Sequence, residues 1–232
     1  MQKNIRALIF DMDGLMIDSE RLYFQTEREL ARSFGHAVQD GTLWDMMGRS
    51  PVESMGVFAR DLGIGVPPEE LAAMREQRMA ENLKHDTKPM KGLHEIIGEF
   101  HGRLKLAVAT GSPAVLVDIA MESLSVRQCF DLIQTSEGVK AGKPDPAIYL
   151  LTAERLAVDP GECIVLEDSS NGALAGKRAG CYLIAVPSEY TALQDFSFAD
   201  YRAESLLDAR DHIRDLLRAV VRKGRSHGIV MI

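Results

Sequence analysis

Residues 7–15 read Ala7-Leu8-Ile9-Phe10-Asp11-Met12-Asp13-Gly14-Leu15, an apolar run that stops abruptly at two carboxylates and a glycine. Four consecutive apolar residues rich in strand formers, closed by a polar turn, describe a strand buried on both faces. The same design recurs downstream. Leu104 to Ala109 ends at Thr110-Gly111-Ser112-Pro113, and Cys163 to Leu166 ends at Glu167-Asp168-Ser169. Phe130 to Ile133 and Tyr182 to Val186 are weaker runs of the same kind. Helical patterns lie between them. Pro113 opens one helix reaching about Ser123, Pro144 and Pro146 open another reaching Leu156, and a third starts after Ser169 and stops at Gly180. A last helix spans Leu206 to Val221, and the chain is expected to fray beyond Gly224. Apolar strands alternating with helices predict an α/β fold: a parallel sheet with helices on both faces.

One block breaks the alternation. Residues 17–87 contain no strand-like run, and their patterns predict three or four helices, the clearest being Glu20 to Phe34, Pro51 to Leu62 and Glu69 to Leu83. The block looks like an inserted helical cap domain (17–87), returning through Lys88-Pro-Met-Lys-Gly92 to a core domain made of residues 1–16 and 88–232. Trp44 is expected to anchor the cap interior, and the cap methionines Met46, Met47, Met55 and Met74 to pack its core.

The 232 residues carry 27 basic and 34 acidic side chains, a net charge of −7, which disfavours non-specific attraction to nucleic acid or anionic membranes. No stretch is apolar for the length of a membrane span. Cys129, Cys163 and Cys181 are odd in number and follow no metal-binding spacing, as in a reducing compartment. The expectation is a cytoplasmic protein, monomeric or weakly self-associating, with no nucleic-acid or membrane partner.

In open parallel sheets, ligands bind beyond the carboxyl ends of the strands. There the predicted strands deliver Asp11 and Asp13; Thr110, Gly111 and Ser112; and Glu167 and Asp168, while Lys143 follows in the loop Lys140-Ala-Gly-Lys-Pro-Asp-Pro146. Carboxylates converging from two strands repel unless a cation lies between them, and a hard, oxygen-liganded cation such as Mg²⁺ suits Asp11, Asp13, Glu167 and Asp168. A phosphoryl group would be held by the Thr110 hydroxyl, the Gly111 and Ser112 amides and the Lys143 charge. Asp11 can attack phosphorus to form an aspartyl-phosphate, and Asp13 can protonate the leaving alkoxide and then activate water. Each motif alone has an ordinary reading as a turn, a helix cap or a solvated lysine. Four in order at strand ends do not.

Asp11-Met-Asp-Gly-Leu15, Thr110-Gly-Ser112, Lys143-Pro144 and Glu167-Asp168 resemble, in order and spacing, the four motifs of the haloacid dehalogenase-like superfamily. The insertion after the first motif is similar to the subgroup containing β-phosphoglucomutase and many sugar-phosphate and nucleotide-related phosphatases. The resemblance implies an α/β fold with a doubly wound, Rossmann-like parallel sheet core and an inserted helical cap, Mg²⁺ as cofactor, Asp11 as nucleophile and metal ligand, and Asp13 as acid and base with its main-chain carbonyl on the metal. It also implies Thr110 and Lys143 on phosphate, and Asp168 on the metal, helped by Glu167. Asp13 sets the chain apart from the dehalogenases, which lack this second aspartate, and from the phosphonate hydrolases, which have a small residue there. Tyr23 stands where the β-phosphoglucomutase pattern has a histidine. Asp18-Ser-Glu-Arg-Leu-Tyr23 resembles pseudouridine 5′-phosphatases, and Gly48-Arg-Ser50 a cap loop that faces the active site in many members. Glu20, Gly48 and Arg49 are therefore the candidate cap residues for substrate.

The expected activity is Mg²⁺-dependent hydrolysis of a small phosphate ester, a sugar phosphate or a nucleoside monophosphate such as pseudouridine 5′-phosphate. Two alternatives are a β-phosphoglucomutase-like isomerase of hexose phosphates and a non-catalytic phosphate-binding module.

Overall fold

The computed structural model describes residues 4–226. Six parallel strands form one sheet: β1 (Ala7–Phe10), β2 (Lys105–Ala109), β3 (Leu132–Gln134), β4 (Cys163–Glu167), β5 (Tyr182–Ala185) and β6 (Tyr201–Arg202), in the order β3-β2-β1-β4-β5-β6. The two-residue edge strand β6 is too short to carry a sequence pattern. Following β1, the helices α1 (Ser19–Ser33), α2 (Asp40–Met46), α3 (Pro51–Leu62) and α4 (Pro68–Asp86) form the insertion. Around the sheet lie α5 (Leu93–Phe100), α6 (Ala114–Ser123), α7 (Ala147–Arg155), α8 (Ser170–Arg178) and α9 (Leu206–Ser226). The sequence reading had not singled out α2 and α5. α9 continues past Gly224, and the expected frayed end, 227–232, lies outside the described residues.

Side chains alternate across each strand, so the apolar runs feed two cores. Leu8, Phe10, Leu106, Val108, Ile164 and Leu166 face α5, α6 and α9, whereas Ala7, Ile9, Ala107, Ala109, Cys163 and Val165 face α7 and α8. Cys163 and Cys181 are buried, and Cys129 is half-buried. Gly176 lets α8 lie close on β4, since a Cβ there would come within 2.9 Å of Val165.

The insertion has a core of its own, built from Leu30, Ala31, Met46, Met55, Val57, Phe58 and Leu71. Its α3 starts with a capping box, Ser50 with Glu53 around Pro51, and stops at Gly63, whose φ of +67° suits glycine. Leu22 of α1 and Met79 and Leu83 of α4 instead join the apolar cluster of the sheet domain, beside Met12, Leu15 and Met16. The two crossing segments run side by side: Asp18 N–H donates to Lys88 O at 3.2 Å, and Met90 N–H to Met16 O at 2.9 Å.

Trp44 departs from expectation. It is half exposed, because the short α2 turns Leu43 and Met46 inward and leaves Trp44 against Phe24 and Tyr190, with ring centres 5.5 and 5.8 Å away.

The return to the sheet domain depends on Gly92. Its φ is +95°, and an added Cβ would lie 2.6 Å from the Leu207 amide nitrogen, where α5 packs on α9. Gly92→Ala should destabilise the protein by about 2 kcal/mol, read as a lowered thermal unfolding midpoint.

Candidate active site

The register of the sheet brings the motifs together. Phe10 is level with Val108 on one side and Leu166 on the other, so β2, β1 and β4 end side by side and their next residues share one edge. Asp11 remains tied to the sheet by its N–H to Leu166 O at 3.0 Å. Gly14 then turns back with φ +69° in close contact with Asp168; a Cβ there would fall 2.3 Å from Asp168 Oδ2.

Lys143 reaches into this edge from the loop after β3. Its Nζ donates to Asp11 Oδ1 at 2.5 Å, to Glu167 Oε1 at 2.6 Å and to Ala109 O at 3.2 Å. It also lies 5.0 Å from the centre of the Tyr149 ring. Tyr149 in turn donates its hydroxyl to Glu167 Oε1 at 2.7 Å, and the other Glu167 oxygen accepts from the Ser169 N–H and hydroxyl at 3.2 and 3.1 Å. Gly172 leaves room for that carboxylate, since a Cβ there would sit 1.7 Å from Glu167 Oε1. Tyr149 was not read as a site residue; its aromatic ring on a helical pattern looks like any core residue.

Glu167 is thus surrounded by donors, and Asp168 is the opposite case. Asp168 is 3% exposed, and its Oδ2 is buried without a hydrogen-bond partner among the described residues. Oxygens of Asp11, Glu167 and Asp168 lie within 4.8 Å of one another. Burial drives the Asp11 carboxyl well above the usual range, with Glu167 and Asp13 adding to the rise and Lys143 opposing it. Burial does the same to Asp168, reinforced by Glu167, Glu20 and Asp11. For Lys143, burial would favour the neutral amine, but Asp11 and Glu167 hold its pKa well above the ordinary value. One buried ammonium among three buried carboxylates leaves excess negative charge, and an orphaned carboxylate oxygen beside it is the donor set of a cation site.

Asp13 faces the other way. Its Oδ2 accepts from Ser112 Oγ at 2.6 Å and Thr110 Oγ1 at 3.3 Å. The Ser112 amide, read as a phosphate donor at a helix start, instead donates to Thr110 Oγ1 at 3.1 Å. The cause is Pro113: its extended backbone, ψ 146°, delays α6 until Ala114 and leaves Gly111 and Ser112 in the preceding turn.

Above this edge the inserted helices enclose a cleft of about 230 Å³. Glu20, Gly48 and Arg49, named from sequence, all line it; Tyr23, Glu27 and Arg75 do too, and were not named as substrate residues. Tyr23 and Glu27 follow Glu20 at helical spacing, the one signal that could have shown them. Arg49 donates Nε–H to Asp45 O at 2.6 Å. Glu20 is raised to about 7 by burial and by the Asp13 charge, and Glu27 is raised to about 7 by burial against the opposing Arg75.

A profile of the family "Haloacid dehalogenase-like hydrolase" matches residues 8–186, from β1 to the end of β5. The chain belongs to that family. It is a phosphatase of the subgroup whose helical cap follows the first motif, close to β-phosphoglucomutase and the sugar-phosphate phosphatases. It is 35% identical to the phosphorylated carbohydrates phosphatase of Thermotoga maritima over 178 residues, covering 76% of this chain and 82% of that one. It is 34% identical to hexitol phosphatase B of Escherichia coli (strain K12) over 217 residues, covering 90% and 97%. Among solved structures, CbbY from Rhodobacter sphaeroides in complex with phosphate superposes with a TM-score of 0.78 at 26% identity, covering 87% of this chain and 95% of that one. This haloacid dehalogenase-like fold puts its acidic cluster beneath the helical insertion.

The buried Glu27 yields a pH signature. A carboxyl raised from 4.5 to about 7 on folding binds more protons in the folded state, so its contribution is fully present below about pH 4.5 and falls away as pH rises to about 7. Wild-type stability should lose up to about 3 kcal/mol over that interval from this group. In thermal melts the unfolding midpoint of Glu27→Gln relative to wild type should therefore climb between pH 5 and pH 8; a constant difference contradicts the assignment.

Proposed function

We propose that the protein is a Mg²⁺-dependent phosphatase of phosphorylated sugars or polyols, working through an aspartyl-phosphate on Asp11. The observation that carries it is the convergence of Asp11, Asp13, Lys143 and the orphaned Asp168 at one strand edge beneath a cleft that presents Glu20, Glu27, Arg49 and Arg75. The names of relatives that act on phosphorylated carbohydrates and hexitol phosphates support the substrate class. In this reading, residues 1–16 and 88–232 carry the chemistry and residues 17–87 select the substrate.

Asp11 and Asp168 would hold the cation, with Glu167 behind them and the Asp13 carbonyl as a further ligand. When bound, the ion supplies the positive charge that keeps these carboxylates ionised and attracts a phosphate ester. Asp11, fixed at the end of the central strand, attacks phosphorus and takes the phosphoryl group; the ester oxygen leaves as an alkoxide. Asp13, held by Thr110 and Ser112, gives that oxygen a proton and then removes one from the water that hydrolyses the intermediate. Lys143, placed by Glu167 and Tyr149, balances charge on the phosphoryl oxygens, and Thr110 helps to hold them. The cap excludes bulk water during the attack. Tyr23 at the position of the mutase histidine weighs against phosphoryl transfer between two sugar positions.

Purified protein should release phosphate from a panel of hexose and hexitol phosphates with Mg²⁺ and stop on chelation. Asp11→Asn should abolish release, and Asp13→Asn should lower kcat by about 10²–10⁴. Retained turnover in Asp11→Asn, or indifference to the chelator, refutes the mechanism. Interconversion of hexose 1- and 6-phosphates without net phosphate release would establish the mutase alternative instead.

A further inference from the structure

The cap contains an ion pair that neither the proposed catalytic steps nor stability explains. Arg75 of α4 and Glu27 of α1 meet across the cleft, with Nη1 to Oε1 at 3.4 Å and side chains only 12% and 4% exposed. Charge-assisted pairs normally close to about 2.7–2.9 Å, so this contact is slack. Burying two charges in an otherwise apolar layer contributes little net stability, and apolar replacements are often as good. Both residues nevertheless line the cleft rather than its supporting core. A guanidinium has five N–H donors; among the described residues Arg75 gives one to Glu27 and lies 5.4 Å from the centre of the Tyr23 ring, which leaves other N–H groups to face a ligand.

The pair's place along α1 gives it a length scale. Glu20, Tyr23 and Glu27 form one face of α1, all lining the cleft. Tyr23 marks the reacting end, because its hydroxyl faces Asp13 and Ser112. Glu27 is one turn further on, about 6 Å along the axis. An ester bound at Asp13 must extend past Tyr23 to touch Glu27, which a five- or six-carbon chain does more readily than a three-carbon one. The charges indicate what would arrive there. A second phosphate would be drawn to Arg75 but repelled by Glu27 at the same spot. A hydroxyl satisfies both, accepting from the guanidinium and donating to the carboxylate, and adjacent hydroxyls can engage both at once. The cleft is lined by two carboxyl groups, Glu20 and Glu27, and two guanidinium groups, Arg49 and Arg75, so hydroxyl groups find both donors and acceptors there.

We propose that Glu27 and Arg75 form a hydroxyl-reading subsite at the far end of the cleft, which selects five- and six-carbon sugar or polyol phosphates over three-carbon ones. This rests on the sugar-phosphatase reading above and adds the residues that measure the substrate.

The test is a steady-state series with Mg²⁺ on glycerol 3-phosphate, erythrose 4-phosphate, ribose 5-phosphate, sorbitol 6-phosphate, a nucleoside monophosphate and p-nitrophenyl phosphate. In the wild-type protein KM should drop at the five-carbon member, giving sorbitol 6-phosphate about a tenfold advantage in kcat/KM over glycerol 3-phosphate. Glu27→Ala and Arg75→Met should each erase most of that ratio through KM. A general loss of structure would lower all substrates in proportion and preserve the ratio, which overturns the proposal. If the variants do not fold, the wild-type series decides alone: KM independent of chain length, or a preference for the nucleoside monophosphate, also overturns it. A wild-type protein that hydrolyses none of the esters, p-nitrophenyl phosphate included, brings down the phosphatase reading itself, a result distinct from hydrolysis without length preference.

Discussion

Three carboxylates buried at one strand edge, with a single ammonium among them, are the constraint around which this protein is arranged. Lys143 bonds both Asp11 and Glu167, yet Asp168 keeps an oxygen with no hydrogen-bond partner among the described residues. Such a cluster is expensive to bury unless charges are paired and lone pairs satisfied. Much of the local structure answers that demand. Tyr149 and Ser169 donate to Glu167, Gly172 and Gly14 make room for Glu167 and Asp168, and the sheet register keeps Asp11 level with them. Raised carboxyl pKa values at Asp11 and Asp168 mark the charge that remains uncompensated, the electrostatic condition for drawing in a divalent cation and, with it, an anionic ester.

The inserted helices continue the same logic. α1 begins directly after the Asp11–Gly14 turn, and Ser19 accepts the Gly14 N–H at 3.0 Å, so the first cap helix is anchored to the catalytic turn. Leu22 and Leu83 pack into the sheet domain's cluster, while Leu30 and Phe58 form the cap's own. α1 therefore spans both units, and the face carrying Glu20, Tyr23 and Glu27 becomes the wall of the cleft over Asp13. The aromatic group of Phe24, Trp44 and Tyr190 closes the same boundary from outside, joining α1 and α2 to the loop after β5.

Much of this was legible without coordinates because it depends on local pattern. Apolar runs such as Ala7–Phe10 and Cys163–Leu166, short and closed by polar turns, read as strands buried on both faces, and the polar residues just beyond them fall at the ligand-binding edge of a parallel sheet. Candidate residues were harder to read where their meaning depends on distant partners. Trp44 looked like a core residue because its size favours burial, but α2 is too short to turn more than Leu43 and Met46 inward. Tyr149 carries no local mark of its bond to Glu167. The Ser112 amide looked free for phosphate until the backbone of Pro113 showed where α6 begins.

The sequence by itself determined the doubly wound sheet, the helical insertion after β1 and the four groups of polar residues at strand ends, since hydrophobic periodicity and punctuation act over a few residues at a time. Tertiary structure alone decided how those groups relate: that Lys143 is spent on Asp11 and Glu167, that Asp168 is left unpartnered, and that Glu27 meets Arg75 across the cleft. Contacts between residues dozens of positions apart are set by how helices and strands pack, and side-chain hydrogen bonds, desolvation and charge pairing follow only once that packing has fixed distances of a few ångströms.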